Sequence, residues 1–334
     1  MKNDESSQAP EYRHCPFTGR VSIVAPARAA RPMTLGGEGK PREADDGRTE
    51  CPFCPGMEHD TPNEVYSIRD PGSACDGPGW QLRVVPNKFP AVRRDALHAF
   101  GCHELVIETE RHVVDPSTLA DAEVARILMA YRERRKALHA VPGVREVVIF
   151  KNVGAEAGAS LAHTHSQIVA LPFVTAPMRT KLQFGEAHFR KEGRNLWADE
   201  LEKAGLAGRV VGTTAHFALV TAGAPRMSFE MLLMPRFNQA DYGEADEDRL
   251  AECATLLKAG VTALDRAAHR PAYNWWLHSA PDADAGHFRW HLEILPRTAR
   301  IAGFEWAANA FIVAVAPEAA AARLRAAMPG GGMA

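Results

Sequence analysis

Net charge, long apolar runs and cysteine are all scarce in this sequence. Its 39 Lys and Arg are nearly balanced by 41 Asp and Glu, a formal charge of −2, so no basic field is present to gather a nucleic-acid backbone. No apolar run approaches the roughly 18 residues that a membrane-spanning helix needs. The opening MKNDESSQAP has no apolar signal-peptide core, which predicts a cytoplasmic protein in a reducing compartment. The six cysteines are then expected as thiols rather than disulfides. Cys15, Cys75, Cys102 and Cys253 are scattered and read as inert, whereas Cys51 and Cys54 stand at CxxC spacing. What the chain does have, 46% hydrophobic residues in 334, is enough for one large core or two smaller ones.

The chain opens on an extended Pro- and Arg-rich arm with one strand, Val21 to Ala25, followed by PARAARP. Arg28 and Arg31 in that arm read either as solvated charges or as phosphate ligands, a guanidinium being suited to bidentate contacts. ECPFCPGMEHD supplies two thiols, which is half of a zinc site, because the metal takes four ligands. WQLRVVPNKFPAV reads as a strand closing on a turn, with Asn87 and Phe89 at the turn. A strand over Glu104 to Glu108, a loop with His112, a helix over Asp121 to His139 and a strand over Val144 to Phe150 follow. The helix places Val124, Ile127, Leu128 and Tyr131 on one face.

That β, α, β, loop, β order recurs. SFEMLLMPR, a helix over Asp246 to Leu264, YNWWLHS and FRWHLEILPR repeat it, and the interval from Glu104 to His165 equals that from Glu230 to His291. Equal spacing over four elements argues for an internal duplication.

The chemistry concentrates between Phe150 and Pro172, FKNVGAEAGASLAHTHSQIVALP. His163, His165 and Gln167 alternate, which in a strand puts two imidazoles and an amide on one face. A core strand tolerates such a row only when it is hydrogen-bonded, so it reads as a satisfied strand edge or as a phosphate or metal site. The loop before it carries glycines for close backbone approach and ends on Ser160.

This HTHSQ row behind a Gly-Ala-Ser loop, with the CxxC knuckle and the Arg-bearing arm, resembles the galactose-1-phosphate uridylyltransferases of the histidine-triad superfamily, from about Arg13 to Ala320. The resemblance implies an α+β fold of two tandem histidine-triad-like domains, 1–175 and 176–334, mainly antiparallel sheet flanked by helices. It implies that His165 is a nucleophile taking a nucleotidyl group, that Gln167 donates to the phosphoryl oxygens, and that Ser160 and Asn152 contact the sugar phosphate and the ribose-phosphate side. Cys51, Cys54, His112 and His163 match a structural zinc site. Asn87 and Phe89 match a nucleoside cradle, and Gly303, Phe304 and Glu305 a hexose contact. Arg28 and Arg31 match an arm that reaches the neighbouring subunit's nucleotide, which implies a homodimer.

The implied activity is transfer of a nucleoside monophosphate, UMP in the named family, between a nucleotide sugar and a hexose 1-phosphate. Inorganic phosphate as acceptor (a phosphorylase, with adenine as an alternative base) and water (a hydrolase) stay open, and a zinc-stabilised regulator is disfavoured by the intact nucleophile. The departures lie in the second copy. Arg289, His291 and Glu293 stand where the first has His163, His165 and Gln167, so one active site per chain is expected. Relatives often carry a second metal there, but GRNLWADELE has no cysteine and Asn238 stands where a His is common, so His278, His291 and Glu293 read as buried hydrogen-bonded residues. AANAFIVAV also departs from the relatives, leaving Phe304 and Trp306 open to a reading as core residues of a final strand.

Overall fold

The structure, a computed structural model, describes residues 9–30, 51–281 and 285–330. The strands are β1 (Glu11–His14), β2 (Val21–Val24), β3 (Tyr66–Arg69), β4 (Trp80–Pro86), β5 (Cys102–Ile107), β6 (Glu146–Val153), β7 (His165–Leu171), β8 (Val210–Thr213), β9 (Phe217–Thr221), β10 (Met231–Pro235), β11 (Tyr273–His278), β12 (His291–Pro296) and β13 (Phe311–Val313). The helices are α1 (Asp121–His139), α2 (Ala176–Glu192), α3 (Leu196–Leu206), α4 (Glu247–Ala267), α5 (Gly303–Ala308) and α6 (Pro317–Ala327).

Ten strands form one antiparallel sheet in the order β3-β4-β5-β7-β6-β11-β12-β10-β9-β8. The order is the same read outward in either direction from the β6–β11 seam, so the two copies of the repeat are joined edge to edge. At the seam Asn274 of β11 donates from Nδ2 to Asn152 Oδ1 of β6 at 2.7 Å. The helix starts keep the repeat's spacing, since Asp121 and Glu247 are as far apart as His165 and His291. The fold is α+β, as expected. β1, β2 and β13 make a separate three-stranded sheet.

The two long helices form where the sequence places an apolar stripe behind a start signal. At α1 the Glu123 carboxylate accepts from the Ala120 N–H at 2.7 Å, and at α4 Asp246 caps the Arg249 N–H at 2.8 Å. Both helices pack on one face of the sheet, where Ile168 and Ala170 of β7 and Leu292 and Ile294 of β12 join Leu128, Tyr131, Leu257 and Val261 in one core. The opposite face is covered differently in the two halves. Over β4, β5 and β7 it carries the knuckle, through Cys51, Phe53, Trp80 and Ile107. Over β9, β10 and β12 it carries α2, α3 and Phe17, through Met178, Trp197, Val220 and Leu232.

Several local expectations are corrected. β6 runs past Phe150 to Val153, which puts Asn152 on a strand paired with β11 rather than in the glycine loop. β7 begins only at His165; His163 sits in the bend before it, held by Nε2 donating to the Thr109 carbonyl at 2.8 Å. GFEWAA is a short helix whose Phe304 and Trp306 are 46% and 76% exposed, so neither belongs to a core strand. α2 and α3 had no counterpart in the sequence reading. No helix among the described residues is long and apolar enough to cross a membrane.

Candidate active site

Register decides what β7 presents. His165 lies opposite Ile107 of β5, and Gln167 opposite Leu105 of β5 and Phe150 of β6, all on the face away from α1. Ser166, between them, points to the helix side and bonds Glu108 and the Tyr131 hydroxyl. A carbonyl can only accept, so the 2.8 Å contact from His165 Nδ1 to the His163 carbonyl fixes the proton on Nδ1. The lone pair is then on Nε2. Burial lowers the pKa of His165, and the charge of Lys151 adds to it, which keeps the imidazole neutral and its lone pair available.

Lys151 was not singled out by the sequence. Its buried ammonium reaches the Glu108 carboxylate at 2.5 Å, Thr164 Oγ1 at 2.7 Å and the His165 carbonyl at 2.9 Å, and so fixes the backbone of His165 from below. His103 was missed as well. It accepts from the Ala91 N–H on Nδ1 at 3.1 Å, so Nε2 is its donor, and Nε2 lies 3.0 Å from Gln167 Oε1. With its oxygen held there, the Gln167 NH₂ is the end left to meet a ligand. The signal was present in the alternation of β5, where His103 shares a face with Leu105, but a single His on a strand has many innocuous readings.

His165 and Gln167 line a cavity of about 470 Å³ together with Ser160, Asn87, Phe89 and the knuckle's Phe53. The structure therefore brings together the proposed nucleophile, its amide neighbour, the loop serine and the nucleoside-cradle pair. Asn87 accepts from the Phe89 N–H at 2.8 Å, and the Phe89 ring is 83% exposed at the mouth. The cavity has the size of a small-molecule site.

Cys51, Cys54, His112 and His163 converge behind the row, with their ligand atoms all within 4.8 Å of one another. Cys51 Sγ lies 3.7 Å from His163 Nδ1, and Cys54 Sγ lies 3.6 Å from the same atom and 3.4 Å from His112 Nδ1. Zinc–sulfur and zinc–nitrogen bonds of about 2.3 and 2.0 Å at a tetrahedral angle place S and N about 3.5 Å apart, so the donor set fits that ion. Burial, with Cys51 alongside, pushes the Cys54 thiol up to about 11, and a dication among the four supplies the charge two thiolates require. The bond from His163 to the Thr109 carbonyl leaves Nδ1 as the coordinating nitrogen. Four protein ligands leave no position for substrate, so such an ion ties knuckle, His112 loop and β7 together.

Other expected residues are not in this cavity. Asn152 is on the same face of β6 as Phe150 but bonds Asn274 and the Gly158 carbonyl. Arg28 lies exposed in the turn Pro26–Ala30, Arg31 is outside the described residues, and Gly303, Phe304 and Glu305 line no part of the cavity within one chain. Glu305 instead accepts from the Ala302 N–H at 3.0 Å. In the second half, His278, His291 and Glu293 are buried and hydrogen-bonded, and Asn238 accepts from Arg289 Nε at 2.9 Å.

Comparison with known proteins places the chain in a family. Residues 83–330 match the family described as "Domain of unknown function (DUF4921)". The chain is 28% identical to an ADP-glucose phosphorylase of Arabidopsis thaliana over 96% of its own length and 93% of the relative's. It is 30% identical to a galactose-1-phosphate uridylyltransferase of Streptomyces lividans over 73% and 66% of the two chains. The crystal structure of the Arabidopsis thaliana ADP-glucose phosphorylase with bound ADP-glucose superposes with a TM-score of 0.84 at 28% identity, covering 95% of this chain and 99% of that one. The chain thus belongs to the DUF4921 family, among the galactose-1-phosphate uridylyltransferase-like nucleotidyltransferases and phosphorylases.

Proposed function

We propose that this protein moves a nucleoside monophosphate from a nucleotide sugar to a hexose 1-phosphate through a covalent adduct on His165. The observation that carries this is the buried neutral imidazole, with Nδ1 tied to the His163 carbonyl, on the wall of a cavity shared with Gln167 and Ser160. Nε2 attacks the α-phosphorus, the bond to the bridging oxygen breaks, and hexose 1-phosphate leaves with that electron pair. A phosphate oxygen of the acceptor then attacks the same phosphorus and releases His165. Gln167 donates to the phosphoryl oxygens as their charge redistributes, with His103 holding the amide in the donating orientation. Ser160 contacts the sugar phosphate, Asn87 and Phe89 hold the nucleoside, and zinc on Cys51, Cys54, His112 and His163 is structural. In this reading residues 1–175 form the catalytic unit. Residues 176–334 supply the degenerate copy, with Gly303, Phe304 and Glu305 meeting the hexose and Arg28 and Arg31 meeting the phosphates across a homodimer, and Asn152 keeps the loop beside the ribose in shape.

A second reading, with inorganic phosphate as acceptor and adenine as base, is supported by the likeness to the plant ADP-glucose phosphorylase over nearly the whole of both chains. The two separate in one experiment. Protein incubated with UDP-glucose or ADP-glucose labelled in the α-phosphate takes up acid-labile label, and the label is then chased with hexose 1-phosphates or with phosphate. Release by a hexose 1-phosphate supports the transferase, whereas release by phosphate alone assigns the phosphorylase. Absence of label with every donor contradicts both.

A further inference from the structure

The second row gathers two imidazole nitrogens and a carboxylate oxygen at a single place. His291 Nδ1 donates to the Arg289 carbonyl at 2.9 Å, which leaves its lone pair on Nε2. His278 Nε2 accepts from the Trp276 indole N–H at 2.7 Å and lies 3.1 Å from Glu293 Oε1. Two imidazole nitrogens and a carboxylate oxygen, all within 4.8 Å of one another and all buried, are the donor set of a borderline transition-metal dication. The set borders a cavity of about 550 Å³, so an ion has a way in.

A cation of another kind is already present. Lys181, from the second turn of α2, is buried with its ammonium 2.8 Å from His291 Nε2 and in direct contact with Glu293 Oε1. The second carboxylate oxygen of Glu293 is taken by Arg226, whose guanidinium also bonds Glu230 and lies 4.8 Å from the centre of the Trp276 ring. A dication bound to His291 and Glu293 would have to share this space with the ammonium, at a separation where two positive charges repel strongly in a buried setting. The residues present therefore do not fit a metal.

We infer that Lys181 replaces a metal ion in the second half: its ammonium is the cation around which His291 and Glu293 are arranged, and a metal site opens only when that side chain is removed. The arrangement closes two functions at once. It caps the one nitrogen by which His291 matches His165, and it anchors α2 to β12 without metal.

Metal content tests this directly, on the full chain and independently of any turnover. Chains freed of loosely held ions and titrated with Co²⁺ are compared as wild type, Lys181→Glu, which offers a carboxylate in place of the ammonium, and Lys181→Ala, which only vacates the space. The expected result is a gain of one bound ion per chain in Lys181→Glu or Lys181→Ala over wild type. Its visible absorption should lack a thiolate-to-cobalt charge-transfer band, and it should be lost again when His291→Ala is added. Wild-type protein that itself binds an ion released by His291→Ala overturns the inference, and this arm does not depend on either Lys181 variant folding. Folded Lys181→Glu and Lys181→Ala chains with wild-type metal content overturn it equally.

Discussion

The β7 and β12 rows are built alike and used differently. In each, a histidine donates Nδ1–H to the carbonyl two residues back, at 2.8 Å for His165 and 2.9 Å for His291, and so presents Nε2 to the same face of one sheet. Over β7 that face meets the knuckle and retains a cavity. Over β12 it meets α2, and Lys181 caps the nitrogen. A strand pattern thus sets where the lone pair points, while the element laid over the strand decides whether it faces a cavity or is capped as a buried acceptor.

The largest contrast is expected in turnover. His165→Gly should lower kcat by about a thousandfold or more, as removal of a covalent nucleophile does. His291→Gln, which keeps an acceptor for Lys181, should stay within about threefold of wild type. Comparable losses in both would erase the distinction between the rows. Next comes the metal, because among the described residues the donor set that fits zinc lies in the first half. Cys51→Ser should lose the ion and several kcal/mol of stability, a fraction of the roughly 10 kcal/mol or more that structural zinc can supply. Thermal melting with parallel metal analysis reads this, and an unchanged Tm with no metal in either protein would contradict it.

The buried lysines give a smaller difference. Lys151→Met leaves the fully buried Glu108 carboxylate with hydroxyl partners only and should cost about 3–5 kcal/mol. Lys181→Met leaves Glu293 facing Arg226 and should cost about half of that. Denaturant unfolding measures both, and an inverted order would mean the charges are shared otherwise. The smallest effect is in pH. Burial alone would raise Glu293, but the charges of Lys181 and Arg226 outweigh it and hold its pKa well below the usual range near 4.3. A depressed folded value means the stabilisation is complete at neutral pH and lost as the pH falls through that value. The Tm of Glu293→Gln should accordingly fall less than that of wild type between pH 5 and pH 3; parallel curves would remove Glu293 from the account.

Much of this was legible in the sequence because periodicity and spacing are local. The α1 span, the stripe on α4 and the repeat follow from patterns that survive without tertiary context, whereas the convergence of Cys51, Cys54, His112 and His163 was implied by the family resemblance. Lys151, His103 and Lys181 did not show, since each acts through a partner on another element: Glu108 on the extension of β5, Gln167 on β7, Glu293 on β12. A lysine in an amphipathic helix reads as solvated, and only the pairing of α2 with β12 reveals it as buried. The GFEWAA segment was open to two readings for the opposite reason, since aromatic residues suggest a strand while the Glu305 bond to Ala302 starts a helix with both rings in solvent.

The central claim is that one of the two matched histidines is a nucleophile and the other is not. Acid-avoiding peptide mapping by mass spectrometry, after brief incubation with a nucleotide sugar and removal of free ligand, tests it on the wild-type chain. The account predicts a nucleoside monophosphate adduct on His165 and none on His291. An adduct on His291, or turnover with both histidines unmodified at every time point, would contradict it.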